Sequence, residues 1–123
     1  MENRFYSRKV LDLFLNPPNT GIVDGYSGKG DAVNPACSDQ VTMTVLLQDG
    51  IVKEVRFQTQ GCAAAIAASA ATTLMVHGKT VEEALKIDKQ EVVDFLDGLP
   101  EAKIACSVIA PQALHLAIED ACS

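Results

Sequence analysis

The sequence predicts a single α+β domain over 1–123, a small antiparallel sheet of about three strands with helices packed on one face as a second layer. Three observations lead there. Val41 to Leu47 and Ile51 to Thr59 are both β-prone, and Gln48-Asp49-Gly50 stands between them; Asp-Gly in that setting is a strong hairpin signal. Ala63 to about Val76 carries small and apolar residues with no charge, the composition of a helix buried on most sides. Helix start and stop signals then recur to the end, and no repeat, low-complexity tract or linker divides the chain.

In order, Phe5 to Leu15 places Phe5, Val10, Leu11, Phe14 and Leu15 mostly on one helical stripe. Pro17 disfavours the α region at Asn16, so Asn16 to Gly21 ends that helix. Ile22 to Pro35 reads as a glycine-rich connection. Within it, Ile22 to Tyr26 is expected as a short edge strand and the rest as mobile loop. The hairpin follows, with Val55, Phe57 and Thr59 alternating against Glu54, Arg56 and Gln58. Gly61-Cys62 closes its second strand: Gly61 is expected to turn through a positive φ, and Cys62 to precede a helix. His77-Gly78-Lys79 reads as that helix's C-terminal cap, and Thr80-Val81-Glu82-Glu83 as a capping box opening a short helix to Lys86. Another helix begins at Asp88 and closes at Asp97-Gly98-Leu99-Pro100. After a linker over Glu101 to Ala105, Cys106-Ser107 leads into a last helix with Pro111 in its first turn.

The chain's 123 residues allow a modest core, aliphatic because aromatics make up 5% and Trp is absent. The net charge of −6 argues against a nucleic-acid backbone as partner. Apolar runs fall short of the ~20 residues that span a bilayer, and Met1 to Lys9 has no apolar region behind its charges. A soluble, cytoplasmic protein with no membrane partner is expected.

There are four cysteines, Cys37, Cys62, Cys106 and Cys122. Unpaired N–H groups and the positive end of a helix dipole favour a thiolate at Cys62. Cys37, Cys62 and Cys106 each lie at a junction between loop and regular element, and Asp39 adds a carboxylate two residues after Cys37. None has the close spacing of zinc fingers or thioredoxins. By spacing alone they fit separate structural thiols as well as a metal site of three cysteines and an aspartate. Cys122, next to the chain's last residue, is expected to be a bystander.

Ala36-Cys37-Ser38-Asp39, Gln60-Gly61-Cys62-Ala63-Ala64-Ala65-Ile66-Ala67-Ala68-Ser69 and Cys106-Ser107-Val108 resemble the three cysteine motifs of the U-type iron–sulfur cluster assembly scaffold family, IscU and the N-terminal domain of NifU. Tyr6-Ser7, Lys9-Val10, Asn16-Pro17, Asn19, Gly21, Gly78 to Leu85 and Asp97 to Pro100 extend the resemblance in collinear order over nearly the whole chain. The resemblance implies a scaffold, not an enzyme. A [2Fe–2S] cluster would be built on it from iron and the sulfur of a cysteine desulfurase, then handed to apo iron–sulfur proteins, in some members with an Hsp70-type chaperone. It implies Cys37, Cys62 and Cys106 as cluster ligands and Asp39 as the carboxylate that keeps the cluster labile. Soft thiolates suit iron–sulfur clusters, and three of them leave one position to a weaker donor.

Two positions depart from the family pattern. Ala105 stands where most members have His, and Leu99-Pro100-Glu101-Ala102-Lys103 keeps only Leu, Pro and Lys of the usual chaperone-binding segment. His77 and His115 are read as structural rather than as ligands; nine residues after Cys106, His115 is expected on the opposite helical face. Lys103 reads as solvated. The alternative is a zinc-binding sulfur-transfer partner of a cysteine desulfurase, of the related SufU type. Those relatives carry an insertion between the second and third cysteine motifs that this chain lacks. A cysteine-nucleophile enzyme ranks last, since neither His is placed as a base for a thiol.

Overall fold

The computed structural model describes residues 6–34 and 39–122. Helix α1 (Arg8–Leu15) comes first, then strands β1 (Gly28–Asn34), β2 (Asp39–Gln48) and β3 (Ile51–Gln60). Helices α2 (Ala63–Val76), α3 (Val81–Leu85) and α4 (Lys89–Phe95) follow. A 3-10 turn over Glu101–Lys103 leads into the short α5 (Ile104–Ser107), and α6 (Ile109–Cys122) is last. The strands form one antiparallel sheet in the order β1-β2-β3. Both α6 and α2 lie on its core face, α6 against β1 and β2, α2 against β3 and α1. The expected two-layer α+β domain is what forms. No helix among the described residues is long and apolar enough to cross a membrane.

The hairpin has the predicted turn. Asp49 and Gly50 take φ values of 55° and 75°, the left-handed pair that matches strand twist. Val41, Met43 and Val45 of β2 and Val52, Val55 and Phe57 of β3 are all buried beneath the helices. Helix α2 is buried almost throughout, and its hydroxyls bond back to its own carbonyls: Ser69 Oγ donates to Ala65 O at 2.8 Å, and Thr72 Oγ1 to Ala68 O at 2.7 Å. Those bonds let polar side chains enter a core without orphaned groups. Thr59 Oγ1 donates to Ser69 Oγ at 2.8 Å and ties the end of β3 to α2.

The third strand differs from expectation. Ile22 to Tyr26 is not a strand, and the supposed loop from Gly28 onward is. A Cβ on Gly28 would stand 2.1 Å from Ala117 O, and one on Gly30 would stand 2.3 Å from Ala113 O. The glycines are there so that β1 and the backbone of α6 can meet. They favour no loop, because the close approach holds the strand in place. Residues 21–27 instead cross the outer face of the sheet: Val23 is 1% exposed, and its N–H donates to Thr44 Oγ1 at 3.0 Å.

Helix α1 starts at Arg8 because Ser7 caps it, Val10 N–H donating to Ser7 Oγ at 3.1 Å; Phe5 lies outside the described residues. Ser7 Oγ also donates to Leu96 O, and Lys9 Nζ stands 4.4 Å from the centre of the Phe95 ring, so α1 is fixed to α4. Its stripe is narrower than the pattern suggests: Val10 is buried, whereas Leu15 is 69% exposed.

Candidate metal centre

Cys62 is the N-cap residue of α2, with extended backbone at φ −77° and ψ 170°, and its side chain makes no capping bond. Strand pairing brings a partner to this helix end. Gln40 of β2 lies opposite Gln60 of β3, so Asp39, one residue before Gln40, falls beside Gly61-Cys62. Asp39 is 4% exposed. Its Oδ1 accepts the Cys62 N–H at 3.3 Å, and its Oδ2 lies 3.5 Å from Cys62 Sγ. A carboxylate from a distant strand thus occupies the place a local capping side chain would take, satisfying an orphan donor where the helix dipole favours negative charge.

Cys106 arrives from the other side. It sits inside the short helix α5, not directly before the last helix; Val108, at φ −68° and ψ −35°, separates α5 from α6. Ser107 Oγ donates to Ile104 O at 2.6 Å, and Asn34 Nδ2 donates to Ala105 O at 3.4 Å, tying this turn to itself and to the end of β1. Cys106 is 5% exposed and packs with Ala64 and Ala65 at the start of α2. The small residues of that first turn leave room for the sulfur. Tyr6, Cys62 and Leu99 close over the same cluster.

Asp39, Cys62 and Cys106 each offer a ligand atom, and these atoms all lie within 4.8 Å of one another. Two thiols and a carboxylate so disposed can close on a single metal ion or on one edge of a cluster, a donor set that suits zinc or iron. Neither His77 nor His115 joins them. His77 is the C-cap of α2, as expected, ahead of Gly78 at φ 81°. His115 lies in α6, apart from Cys106 in α5, as expected for a residue outside the ligand group. It packs beside Ile87, Asp88 and Pro111, its Nε2 buried with no hydrogen-bond partner among the described residues. Cys122 ends α6, exposed and outside the group. Cys37 lies outside the described residues.

Two neighbours were not assigned to the site from sequence. Burial pushes the Tyr6 hydroxyl pKa above 10.0, Lys103 opposes this, and Cys62 and Cys106 reinforce it. The phenol is therefore a neutral group at the edge of the thiols. Lys103, read as plainly solvated, is half-buried and close enough for its charge to act on Tyr6. Gly61 is the second. Its φ lies outside the left-handed region, so the expected glycine-specific turn is not the reason for this residue.

The NifU-like N terminal domain family matches the chain over residues 5–121. The chain is 47% identical over 115 residues to the iron-sulfur cluster assembly scaffold protein IscU 1 of Archaeoglobus fulgidus, covering 94% of this chain and 75% of that protein. It is 43% identical over 122 residues to the nitrogen fixation protein NifU of a Nostoc species, covering 92% of this chain and 40% of that longer protein. The N-terminal part of a nitrogen-fixing NifU-like protein from Brucella abortus shares the fold, with a TM-score of 0.79 over 94% of this chain and 92% of that one, at 16% identity.

Proposed function

The chain belongs to the NifU-like N-terminal domain family, and from that premise we propose that it is a scaffold on which an iron–sulfur cluster is assembled and from which it passes to apo-proteins. It works as a scaffold and not as an enzyme, in keeping with the name scaffold protein that the Archaeoglobus relative carries. The cluster is cargo. The observation that supports this best is the convergence of Asp39, Cys62 and Cys106 within 4.8 Å at the start of α2. Cys37, two residues before Asp39 in sequence, supplies the third thiolate in this reading.

The finer assignment is a [2Fe–2S] cluster held by Cys37, Cys62, Cys106 and Asp39. Carboxylate oxygen is a harder donor than sulfur, so the Asp39 bond opens first and gives the cargo a way off. A cysteine desulfurase is the sulfur source, and apo iron–sulfur proteins are the recipients. An Hsp70-type chaperone would have to use the degenerate segment from Leu99 to Lys103. Leu99 is half-buried against the cysteine cluster, so gripping it would disturb the site directly. A reducing compartment, the cytoplasm, suits a scaffold that works through thiolates.

Anaerobic reconstitution with ferrous iron and sulfide tests the reading. Wild type and Cys122→Ser should gain the visible absorption of a cluster with equal iron and sulfide; Cys37→Ser, Cys62→Ser and Cys106→Ser should not. Loss in Cys122→Ser with retention in Cys37→Ser overturns the ligand set. A second reading, a zinc-bound sulfur-transfer partner of a desulfurase, is favoured by how well two thiols and a carboxylate suit one zinc ion. Protein isolated without oxygen that contains zinc and takes up no cluster would decide for it.

A further inference from the structure

Gly61 is exposed, ends no helix, and has a backbone conformation open to any residue. What it lacks is room. A Cβ built there would stand 2.4 Å from Asp39 Oδ1, 2.7 Å from Asp39 Cγ and 3.0 Å from Asp39 Cβ. All three obstacles belong to the side chain of one proposed ligand. Asp39's backbone is held in the ladder opposite Asn34, so only its side chain can yield. Side chains move between staggered wells, and a step of about 120° at χ1 carries a carboxylate away from its partner.

We infer that Gly61 is a positioning residue for the metal centre: the missing Cβ admits the Asp39 carboxylate beside Cys62 and fixes which of its oxygens meets the thiols. Oδ1 is engaged by the Cys62 N–H at 3.3 Å, and Oδ2 faces Cys62 Sγ at 3.5 Å. With Oδ1 so held, Asp39 offers a metal one oxygen and not two. The N-terminus of α2 competes with that metal for the carboxylate's charge, which weakens the bond a scaffold has to break. Any side chain at position 61 would leave aspartate in the sequence and remove it from the site. The metal part of this inference rests on the proposed ligand role of Asp39; the placement does not.

The two are tested separately. In metal-free protein, the Cys62 amide proton should resonate downfield in wild type and move upfield in both Asp39→Ala and Gly61→Ala, with distant amides unchanged. A Cys62 amide that keeps its wild-type shift in Gly61→Ala overturns the inference. If Gly61→Ala melts early, the Asp39→Ala/Gly61→Ala double variant should recover to the level of Asp39→Ala, because the two closest clashing atoms, Oδ1 and Cγ, are gone and only the Cβ contact at 3.0 Å remains; failure to recover counts equally against it. With Co²⁺ as probe, Gly61→Ala should lose as much affinity as Asp39→Ala, because the same ligand is withdrawn. It should also share the ligand-field spectrum of Asp39→Ala, with no further change in the double variant. An Asp39→Ala spectrum identical to wild type removes Asp39 as a ligand and so overturns the metal part, leaving the amide shift to decide the placement.

Discussion

Helices α2 and α3 start in contrasting ways. Helix α3 is closed within four residues: Thr80 Oγ1 accepts the Glu83 N–H at 3.1 Å, and Glu83 Oε1 accepts the Thr80 N–H at 3.1 Å. At the start of α2, Cys62 caps nothing with its own side chain, and its N–H turns to a carboxylate 23 residues away. A cap made inside the helix's own first turn forms with the helix and has no other use. A cap borrowed from a distant strand can be given up, and at α2 the carboxylate that makes it has its ligand atom within 4.8 Å of the thiols of Cys62 and Cys106. In the proposed reading, the start of α2 is the helix end that a metal can engage.

The largest effect should come from making the two starts alike. Cys62→Thr gives α2 the kind of cap that α3 has. Metal-free stability should rise by about 1 kcal/mol, measured by denaturant titration. Affinity for Co²⁺ should fall by more than ~100-fold, beyond the range of outer-sphere changes, because a ligand itself is lost. Wild-type affinity in that variant would sever the start of α2 from the metal centre. Smaller, and confined to the other helix, Thr80→Ala should cost about 1 kcal/mol and leave metal affinity unchanged.

The smallest effect is in acid. Hydrogen bonds from the Thr80 backbone and side chain lower the Glu83 carboxyl pKa below 4.5 in the folded state. A depressed folded value means that the charged form favours folding. That contribution is complete above 4.5 and is lost as pH falls through the lower, folded value. Glu83→Gln should therefore melt below wild type near neutrality and converge with it in acid. A gap independent of pH would show that the charge of Glu83 plays no part in the cap.

What could be read from sequence follows the same divide. Asp49-Gly50, the Thr80 to Glu83 box and the small-residue run of α2 are interactions among near neighbours in the chain, and each appears as written. A cysteine placed just before a helix was legible for the same reason. The strand from Gly28 to Asn34 was not, because its glycines answer to the α6 backbone some 85 residues later, at Ala113 and Ala117. Nor was the purpose of Gly61, which depends on an aspartate across the sheet. Cys106 was expected as a ligand, but its seat in α5 was not: Pro111 signalled where the last helix starts, and no signal marked the short helix before it. By itself the sequence determined the elements with local causes and, through its family motifs, the residues expected at the candidate metal centre. Only the tertiary structure decided that Asp39, Cys62 and Cys106 meet, because the β2–β3 register carries Asp39 to Gly61 and the packing on Ala64 and Ala65 brings in Cys106. Contacts between residues far apart in sequence leave no periodic trace in the chain, and that is why the meeting of these three side chains shows only in the folded form.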